Sequence, residues 1–472
     1  MKHLFRATML LLSLTLAACQ IMSSSSVPTP APVQNTLVPA TPLPTLAPVP
    51  TLAPTQPAPT EPPVQVATPA PSAPGLLISA KARITSPTAP AADQHELAQG
   101  NNALALDLLH ALPAQGNLFF SPYSISQALA MTYAGARGQT EEQMAKTLHF
   151  TLPQDRLHPA FDALDLALQQ PAAQPAEGQF QLNIANSIWG QKGYAFQPAF
   201  LDLLGENYGA GLRLTDFQAA PEPARQAINQ WVSDQTKDKI NDLIPAGAIT
   251  PDTRLVLANA IYFYAKWLHP FDGNLTQPGS FNLLDGSTVT VPMMSQLAGL
   301  PYAVGQGYQA VELPYVGDKA ADEIALTLIV PDAGRFAEVR AALTAGQLES
   351  LWGSLETKQV QLSLPKFKYE SSFSLAKTLG ELGMPDAITP GAADFSGMDG
   401  TRDLFISDIL HKAVVAVDEE GTEAAAATAV VVGITAMPAI DVHLTVDRPF
   451  IFVIRDTHSG AMLFMGQVLN PE

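Results

Sequence analysis

The sequence predicts an α+β fold, with helices concentrated early in the chain and strands late. Apolar residues recur at helical spacing in 95–112, 124–135 and 221–244. Strand-like runs rich in β-branched and aromatic residues follow at 253–267 and 359–370, and the segments PFIFVIRD and AMLFMGQV flank the turn THSG as a hairpin. Because helices and strands do not alternate along the chain, an α+β arrangement is favoured over a βαβ repeat.

Length and charge limit the possible functions. A chain of 472 residues has enough apolar side chains for two or three average domains. Its formal net charge is −18, and Lys and Arg nowhere form a dense basic run, which argues against charge-driven binding to nucleic acid or anionic lipid. We therefore expect proteins or small neutral ligands as partners.

The N-terminus has the features of an export signal. Lys2 and Arg6 precede a short apolar run that ends at Leu16, and small residues lead to Cys19, the only cysteine. This run is too short for a permanent membrane-spanning helix, and a single cysteine excludes an intramolecular disulfide. The motif LAAC resembles a bacterial lipobox, which predicts a signal peptide at 1–18 and a lipid on Cys19; an ordinary signal peptide is the alternative.

Residues 19–90 are predicted to be a linker. From Ser23 to about Gly75 the composition is dominated by Pro, Thr, Ala and Ser, which excludes regular helices and sheets and favours an extended, solvated chain. At about 3.1 Å per residue, some sixty residues reach at most about 200 Å. The folded domain is predicted to occupy 91–472, as a secreted, lipid-anchored protein whose domain faces the periplasm or the exterior.

Several segments of the folded part resemble the serpin family. They include NLFFSPYSISQALAMTYAGARGQTEEQMAKTLHF, LVLANAIYFYAKWLHPFD, LPKFKYESSFSLAKTLGELGM and ISDILHKAVVAVDEEGTEAAAATAV. The resemblance spans essentially everything after the linker and implies one domain: three β-sheets surrounded by about nine helices, with an exposed reactive-centre loop. It also implies a protease inhibitor whose loop is cut and then inserts as a new strand into the central sheet, carrying the acylated protease with it.

The stretch EEGTEAAAATAVVVG fits this mechanism. If Thr422 faces inward, the same face carries Ala424, Ala426, Thr428, Val430 and Val432, all small or β-branched, as a buried strand requires. Gly421 is expected to give flexibility. The resemblance implies a hinge that consists of Glu419, Glu420, Gly421, Thr422, Glu423, Ala424, Ala425, Ala426, Ala427 and Thr428.

Spacing from Glu419 in inhibitory relatives implies that the reactive bond is Thr435–Ala436, with Ile434–Thr435 and Ala436–Met437 as alternatives. Because the surrounding loop contains no Lys or Arg, trypsin-like targets are disfavoured. Elastase-like or subtilisin-like serine proteases are the expected targets, and papain-like cysteine proteases remain open.

The resemblance also assigns residues that control opening of the sheet. Ser121, Ser124, Asn259 and His411 match the shutter, a polar cluster beneath the central strands. Trp267 matches the breach, where the loop first enters. Lys366 aligns with a lysine that pairs with the first hinge acid, which predicts a Lys366–Glu419 ion pair.

The rival interpretations are an enzyme and a serpin fold without inhibitory activity. No GxSxG elbow, HExxH helix or P-loop is present, and the sequence implies no metal and no cofactor. The region EEQMAKTLHF lacks the basic run of a heparin site, so no heparin partner is expected. We expect a monomer.

Overall fold

The computed structural model describes residues 75–169, 180–316, 324–422 and 439–472. In these residues the α-helices number ten, close to the nine expected, and helices and strands form the α+β fold predicted from the sequence. No helix in the described ranges has the length and apolarity needed to cross a membrane. The helices are α1 (Ala91–Ala111), α2 (Pro122–Tyr133), α3 (Gly138–Thr147), α4 (Gln154–Gln169), α5 (Pro198–Tyr208), α6 (Pro221–Gln235), α7 (Phe336–Ala342), α8 (Ala345–Gly353), α9 (Ala376–Leu382) and α10 (Ser396–Asp399).

Sixteen strands in the described ranges form two sheets. They are β1 (Gly75–Leu77), β2 (Leu118–Phe120), β3 (Phe180–Gln191), β4 (Leu212–Thr215), β5 (Leu255–Lys266), β6 (Gln277–Asn282), β7 (Thr288–Gly305), β8 (Tyr308–Pro314), β9 (Ile324–Pro331), β10 (Glu356–Pro365), β11 (Phe367–Ser374), β12 (Ile406–Val417), β13 (Gly421–Thr422), β14 (Val442–Thr445), β15 (Phe450–Asp456) and β16 (Met462–Val468).

The two sheets differ in how they are assembled. The seven-stranded sheet has the order β1-β4-β3-β5-β13-β12-β11. The nine-stranded sheet has the order β14-β10-β7-β8-β9-β15-β16-β2, with β6 attached to β7. The long strand β7 pairs with β10 over Met293–Tyr302 and with β8 over Tyr302–Gly305. The family resemblance implies three sheets. The described residues form two, because β7 connects strands on both of its sides into one nine-stranded sheet.

Local signals explain where several helices begin and end. The Ser121 side chain accepts a hydrogen bond from the Ser124 N–H and caps α2, with a proline in its first turn. Helix α5 ends at Gly209, which has the left-handed backbone conformation. The periodicity predicted that α6 continues to residue 244. The helix ends instead at Gln235, because Lys237 and Asp238 have positive φ angles.

Two hydrophobic clusters pack the domain. The larger draws side chains from both sheets and from α1–α5. The smaller lies between α6 and one face of the seven-stranded sheet and contains Trp189, Ile228, Val256 and Leu410. The strands β9, β15 and β16 are buried along their whole length, which explains their nearly continuous apolar sequences.

The structure corrects the predicted boundary of the linker. Residues 75–90 were assigned to the linker from their composition, but Gly75–Leu77 pairs as β1 with β4. Further along, the N–H of Ile84 donates to the carbonyl of Glu206 at 2.8 Å. This segment is therefore part of the folded domain, although its amino-acid composition gives no indication of the strand pairing.

Candidate functional site

The hinge of the predicted loop already enters the seven-stranded sheet. Gly421 and Thr422 pair antiparallel with Lys266 and Ala265 of β5, and Thr422 also pairs with Val417 of β12. Beyond this point β5 and β12 pair directly with each other in parallel, from Leu255–Ile261 to Ile406–Ala413. The sheet thus contains the first two residues of an additional central strand.

Gly421 is required at its position by close backbone contact. A Cβ atom there would lie 2.0 Å from the carbonyl oxygen of Ala265 and 2.8 Å from the Cα of Lys266. These contacts are with backbone, so no side chain could move aside. The role of this glycine is close approach to β5, in addition to the flexibility expected from the sequence.

Thr422 is held in the sheet by a hydrogen bond to Tyr315, whose ring stacks on Trp267. Its side chain is buried, and its Oγ1 lies 2.7 Å from the hydroxyl oxygen of Tyr315. The ring of Tyr315 stacks on Trp267 with centroids 4.6 Å apart, and both rings are fully buried. Burial raises the pKa of Tyr315, so this hydroxyl stays neutral and able to donate.

Trp267 holds the chain just before the inserted residues. Its Nε1–H donates to the carbonyl of Asp418 at 2.9 Å, and its backbone N–H donates to the carbonyl of Glu420 at 2.8 Å. The structure thus places the predicted breach residue directly against the root of the loop.

Two lysines hold the hinge acids. Lys366 Nζ lies 2.6 Å from Glu419 Oε2, and the Thr276 hydroxyl donates to Glu419 Oε1 at 2.7 Å. Burial acts to raise the pKa of the Glu419 carboxyl, but these hydrogen bonds outweigh it and hold that pKa below its usual range. Lys266 approaches Glu420 at 3.7 Å. Each of the first two hinge acids, Glu419 and Glu420, is therefore paired with a lysine.

The four predicted shutter residues lie together and are fully buried. The Nδ1 of His411 shares a hydrogen bond with Asn259 Oδ1, and the Ser121 N–H donates to Nε2 of His411 at 3.2 Å. Asn259 Nδ2 donates to the Ser124 hydroxyl at 2.6 Å. Burial lowers the pKa of His411 to about 3, so the ring is neutral, and both contacts fit a single tautomer with the proton on Nδ1.

Sequence reasoning missed further members of this network. Asn186 on β3 accepts from the Ser124 hydroxyl at 3.0 Å and also from Asn259, and its Nδ2 donates to Gln127 Oε1 at 2.8 Å. Tyr315 and Lys266 were missed at the breach. Asn186 gives one usable signal in the run LNIANSIWG, because it interrupts the otherwise apolar strand face that carries Leu182, Ile184 and Ile188.

Some predicted site residues lie outside the described residues. These are Glu423, Ala424, Ala425, Ala426, Ala427 and Thr428 of the hinge, Thr435 and Ala436 of the reactive bond, and Cys19.

The central sheet holds the start of an extra strand between β5 and β12. Further along, the polar cluster around Asn259 and His411 joins the same two strands, which a longer insertion would separate. These features define a class of proteins that work by strand insertion. Comparison with known proteins agrees. The family model described as Serpin (serine protease inhibitor) matches residues 99–471. The chain belongs to the serpin family.

Relatives and solved structures support the same assignment. The chain is 39% identical to human leukocyte elastase inhibitor over 391 residues, covering 80% of this chain and all of the relative. It is 38% identical to a serpin-like protein of Thermococcus kodakarensis over 377 residues, or 79% of this chain and 85% of the relative. The thermophilic serpin tengpin in its native state matches with a TM-score of 0.74 and 28% identity, covering 84% of this chain and all of tengpin. This chain is therefore a protease inhibitor and not an enzyme.

Proposed function

We propose that this chain traps elastase-like or subtilisin-like serine proteases as covalent acyl-enzymes, by inserting its cut loop between β5 and β12. The observation that carries the proposal is the partial insertion of Gly421 and Thr422, which fixes where and in which register further residues would follow. Tethering through a lipid on Cys19 is part of the same proposal and rests on the N-terminal sequence.

The register predicts a partner for every inserted residue. Continuing the antiparallel pairing of Thr422 with Ala265 brings Thr428 opposite Asn259. Continuing the pairing of Thr422 with Val417 brings Thr428 opposite His411. The two independent ladders agree, so Thr428 would arrive between the two shutter residues, where its hydroxyl could replace the hydrogen bond that they now share.

The inward face of the loop fits the space the register assigns to it. Ala424 would lie level with Phe263 and Val415, and Ala426 with Ile261. These neighbours are buried members of the larger hydrophobic cluster. Small inward side chains are therefore needed, because close-packed interiors do not accept added volume.

Insertion exchanges one ladder for two. The parallel pairing of β5 with β12 would give way to two antiparallel pairings, which are slightly more stable per residue. Each ladder hydrogen bond contributes about 0.5–1.5 kcal/mol, while ordering a residue costs about 1–2 kcal/mol. Because these contributions nearly cancel, burial of the inward side chains decides whether insertion proceeds.

The test is to mix the full chain with pancreatic elastase, subtilisin, trypsin and papain. We expect an adduct that survives SDS with elastase or subtilisin, and a large rise in thermal midpoint after loop cleavage. The mass of the released C-terminal peptide identifies the cut bond, with Ala436 as the expected first residue. Absence of an adduct with every protease, together with an unchanged midpoint after cleavage, would indicate a serpin fold without inhibitory function.

The anchor is tested separately. Expression in a bacterial host with a labelled fatty acid should label the full chain and not the Cys19→Ala variant. Label on both forms, or on neither, would contradict lipid attachment at Cys19.

A further inference from the structure

The N-terminal chain joins the domain at one end of the seven-stranded sheet. Gly75 of β1 pairs with Leu214 of β4, Leu214 pairs with Gly190 of β3, and Gly190 pairs with Leu255 of β5. These four residues form one row across the sheet, so Gly75 lies level with the first residue of β5.

The hinge lies at the other end of the same sheet. Gly421 pairs with Lys266, the last residue of β5. From Leu255 to Lys266 a strand rising about 3.3 Å per residue spans about 36 Å. The point where the linker joins and the point where the reactive loop leaves are therefore at opposite ends of β5.

Ion pairs hold the N-terminal segment in place. Arg83 Nη2 lies 2.8 Å from Asp162 Oδ1 and 2.5 Å from Asp165 Oδ2, and both carboxylates are buried. Lys81 reaches Asp202 at 3.3 Å and Glu206 at 3.0 Å. Buried carboxylates are costly to leave without a cation, so Arg83 holds the segment after β1 against α4, while the pairing of β1 with β4 places Gly75 at this end.

Three glycines make room for the segment. A Cβ on Gly211 would lie 2.5 Å from the carbonyl oxygen of Leu77, and one on Gly205 would lie 3.0 Å from Ser79 Cβ. Gly209 has a left-handed backbone and would meet Arg83 Cδ at 3.0 Å. The lack of a side chain at these three positions therefore leaves space for residues 77–83.

The insertion register brings a captured protease to the same end. Continuing the pairing of Thr422 with Ala265 places Val432 opposite Leu255, in the row that contains Gly75. The inserted strand would be separated from β1 by β5, β3 and β4, so four strand spacings, or about 19 Å, would lie between them. A compact protease of about 240 residues has a radius of about 23 Å. It would occupy the space where the N-terminal chain leaves the domain.

We propose that the proline-rich linker is a clearance spacer, whose length leaves room for the captured protease between the anchor and the domain. This inference rests on the proposed function. The initial attack on the loop takes place at the free end and needs no clearance, whereas trapping requires space at the anchored end. Residues 19–74, at about 3.1 Å each, reach at most about 170 Å, well beyond the roughly 45 Å diameter of such a protease.

The test couples the chain, expressed from Cys19, to a flat maleimide surface through its only cysteine. One variant lacks residues 23–70, which shortens the spacer to about 25 Å. A second replaces the same residues with a Gly/Ser sequence of equal length. For each, the rate of loop cleavage by subtilisin and the fraction of cleaved chains that form a covalent adduct are measured, on the surface and in solution.

We expect the three forms to trap equally in solution. On the surface, the deletion should lower the trapped fraction by at least about fivefold because the short linker cannot span the protease, while the rate of cleavage changes little. The Gly/Ser variant should trap like the full chain. Equal trapping by the surface-bound deletion, or an equal loss of cleavage and trapping, would overturn the inference. Failure of the full chain to form an adduct in solution would instead contradict the proposed function.

Discussion

The hydroxyl oxygens of Thr422 and Tyr315 lie 2.7 Å apart, and this contact joins the hinge of the reactive loop to the breach. Tyr315 in turn stacks on Trp267, which binds the backbone on either side of Glu419. The first step of insertion is therefore already made in the native fold, at a single buried side chain.

Replacing Thr422 with arginine should convert the inhibitor into a substrate. Thr422 is 1% exposed, and burying an unpaired charge there costs several kcal/mol, enough to expel the hinge from the sheet and prevent further insertion. Thr422→Val is the matched control, because it keeps the shape and loses only the hydroxyl. Gel analysis with elastase or subtilisin should show cleavage without adduct for the arginine variant and adduct for the valine variant. Undiminished adduct from the arginine variant would count against loop insertion.

Adding a methyl group at Gly421 should expel the hinge from the sheet. A Cβ would overlap the carbonyl oxygen of Ala265, so the pairing with β5 must be lost in Gly421→Ala. Gly353→Ala is the control, because its Cβ would meet no atom within 4 Å. Hydrogen exchange at Ala265 and Lys266 should become faster only in the first variant. Equal exchange in both variants would show that the hinge does not depend on this contact.

Thr428 should contribute to the stability of the cleaved form and not to that of the native form. The register places it between Asn259 and His411, where Thr428→Val would lose hydrogen bonds worth about 1 kcal/mol each. Thr445→Val, at an exposed position of β14, is the control outside the shutter. The thermal midpoint of the cleaved Thr428→Val variant should fall relative to cleaved wild type, while the native midpoints agree. A change confined to the native form would contradict the predicted register.

Acid should weaken the native fold through two buried histidines. Burial lowers the pKa of both His158 and His411 to about 3, so each binds a proton in the unfolded chain near pH 6.5 and not in the folded one. Their contribution is complete above about pH 6.5 and falls by about 1.4 kcal/mol per pH unit for each histidine below it. Thermal midpoints measured between pH 7.5 and 5 should fall less steeply in His158→Gln than in wild type. An unchanged slope would show that folding does not lower the pKa of His158.

Site residues that lie within recognisable family segments could be predicted from the sequence. The resemblance to the serpin family assigned Trp267, His411 and the hinge. In the structure Trp267 donates to the carbonyl of Asp418, His411 is hydrogen-bonded to Asn259, and Gly421 and Thr422 pair with β5. The helix periodicity located α1, α2 and α6, and the strand patterns located β5, β15 and β16, most of them to within a few residues. Two boundaries differ. The run 359–370 covers parts of both β10 and β11, and positive φ angles end α6 before its polar and apolar pattern does.

Site residues whose partners lie far away in the chain could not be predicted from the sequence. Tyr315 and Thr422 are 107 residues apart, and no local pattern links them. Arg83 looks like part of a proline-rich spacer until its ion pairs with α4 are seen. Asn186 shows in the sequence only as a polar residue on an apolar strand face, and its partners could not be identified because they come from α2 and β5.

The stacking of Trp267 on Tyr315 also gives the molecule an intrinsic optical signal. The indole is 2% exposed and touches both the ring that binds Thr422 and the backbone of Asp418. Its emission should therefore respond when the hinge withdraws or when more of the loop enters. Without any added dye, stopped-flow fluorescence could time the movement that turns a cut loop into a trap.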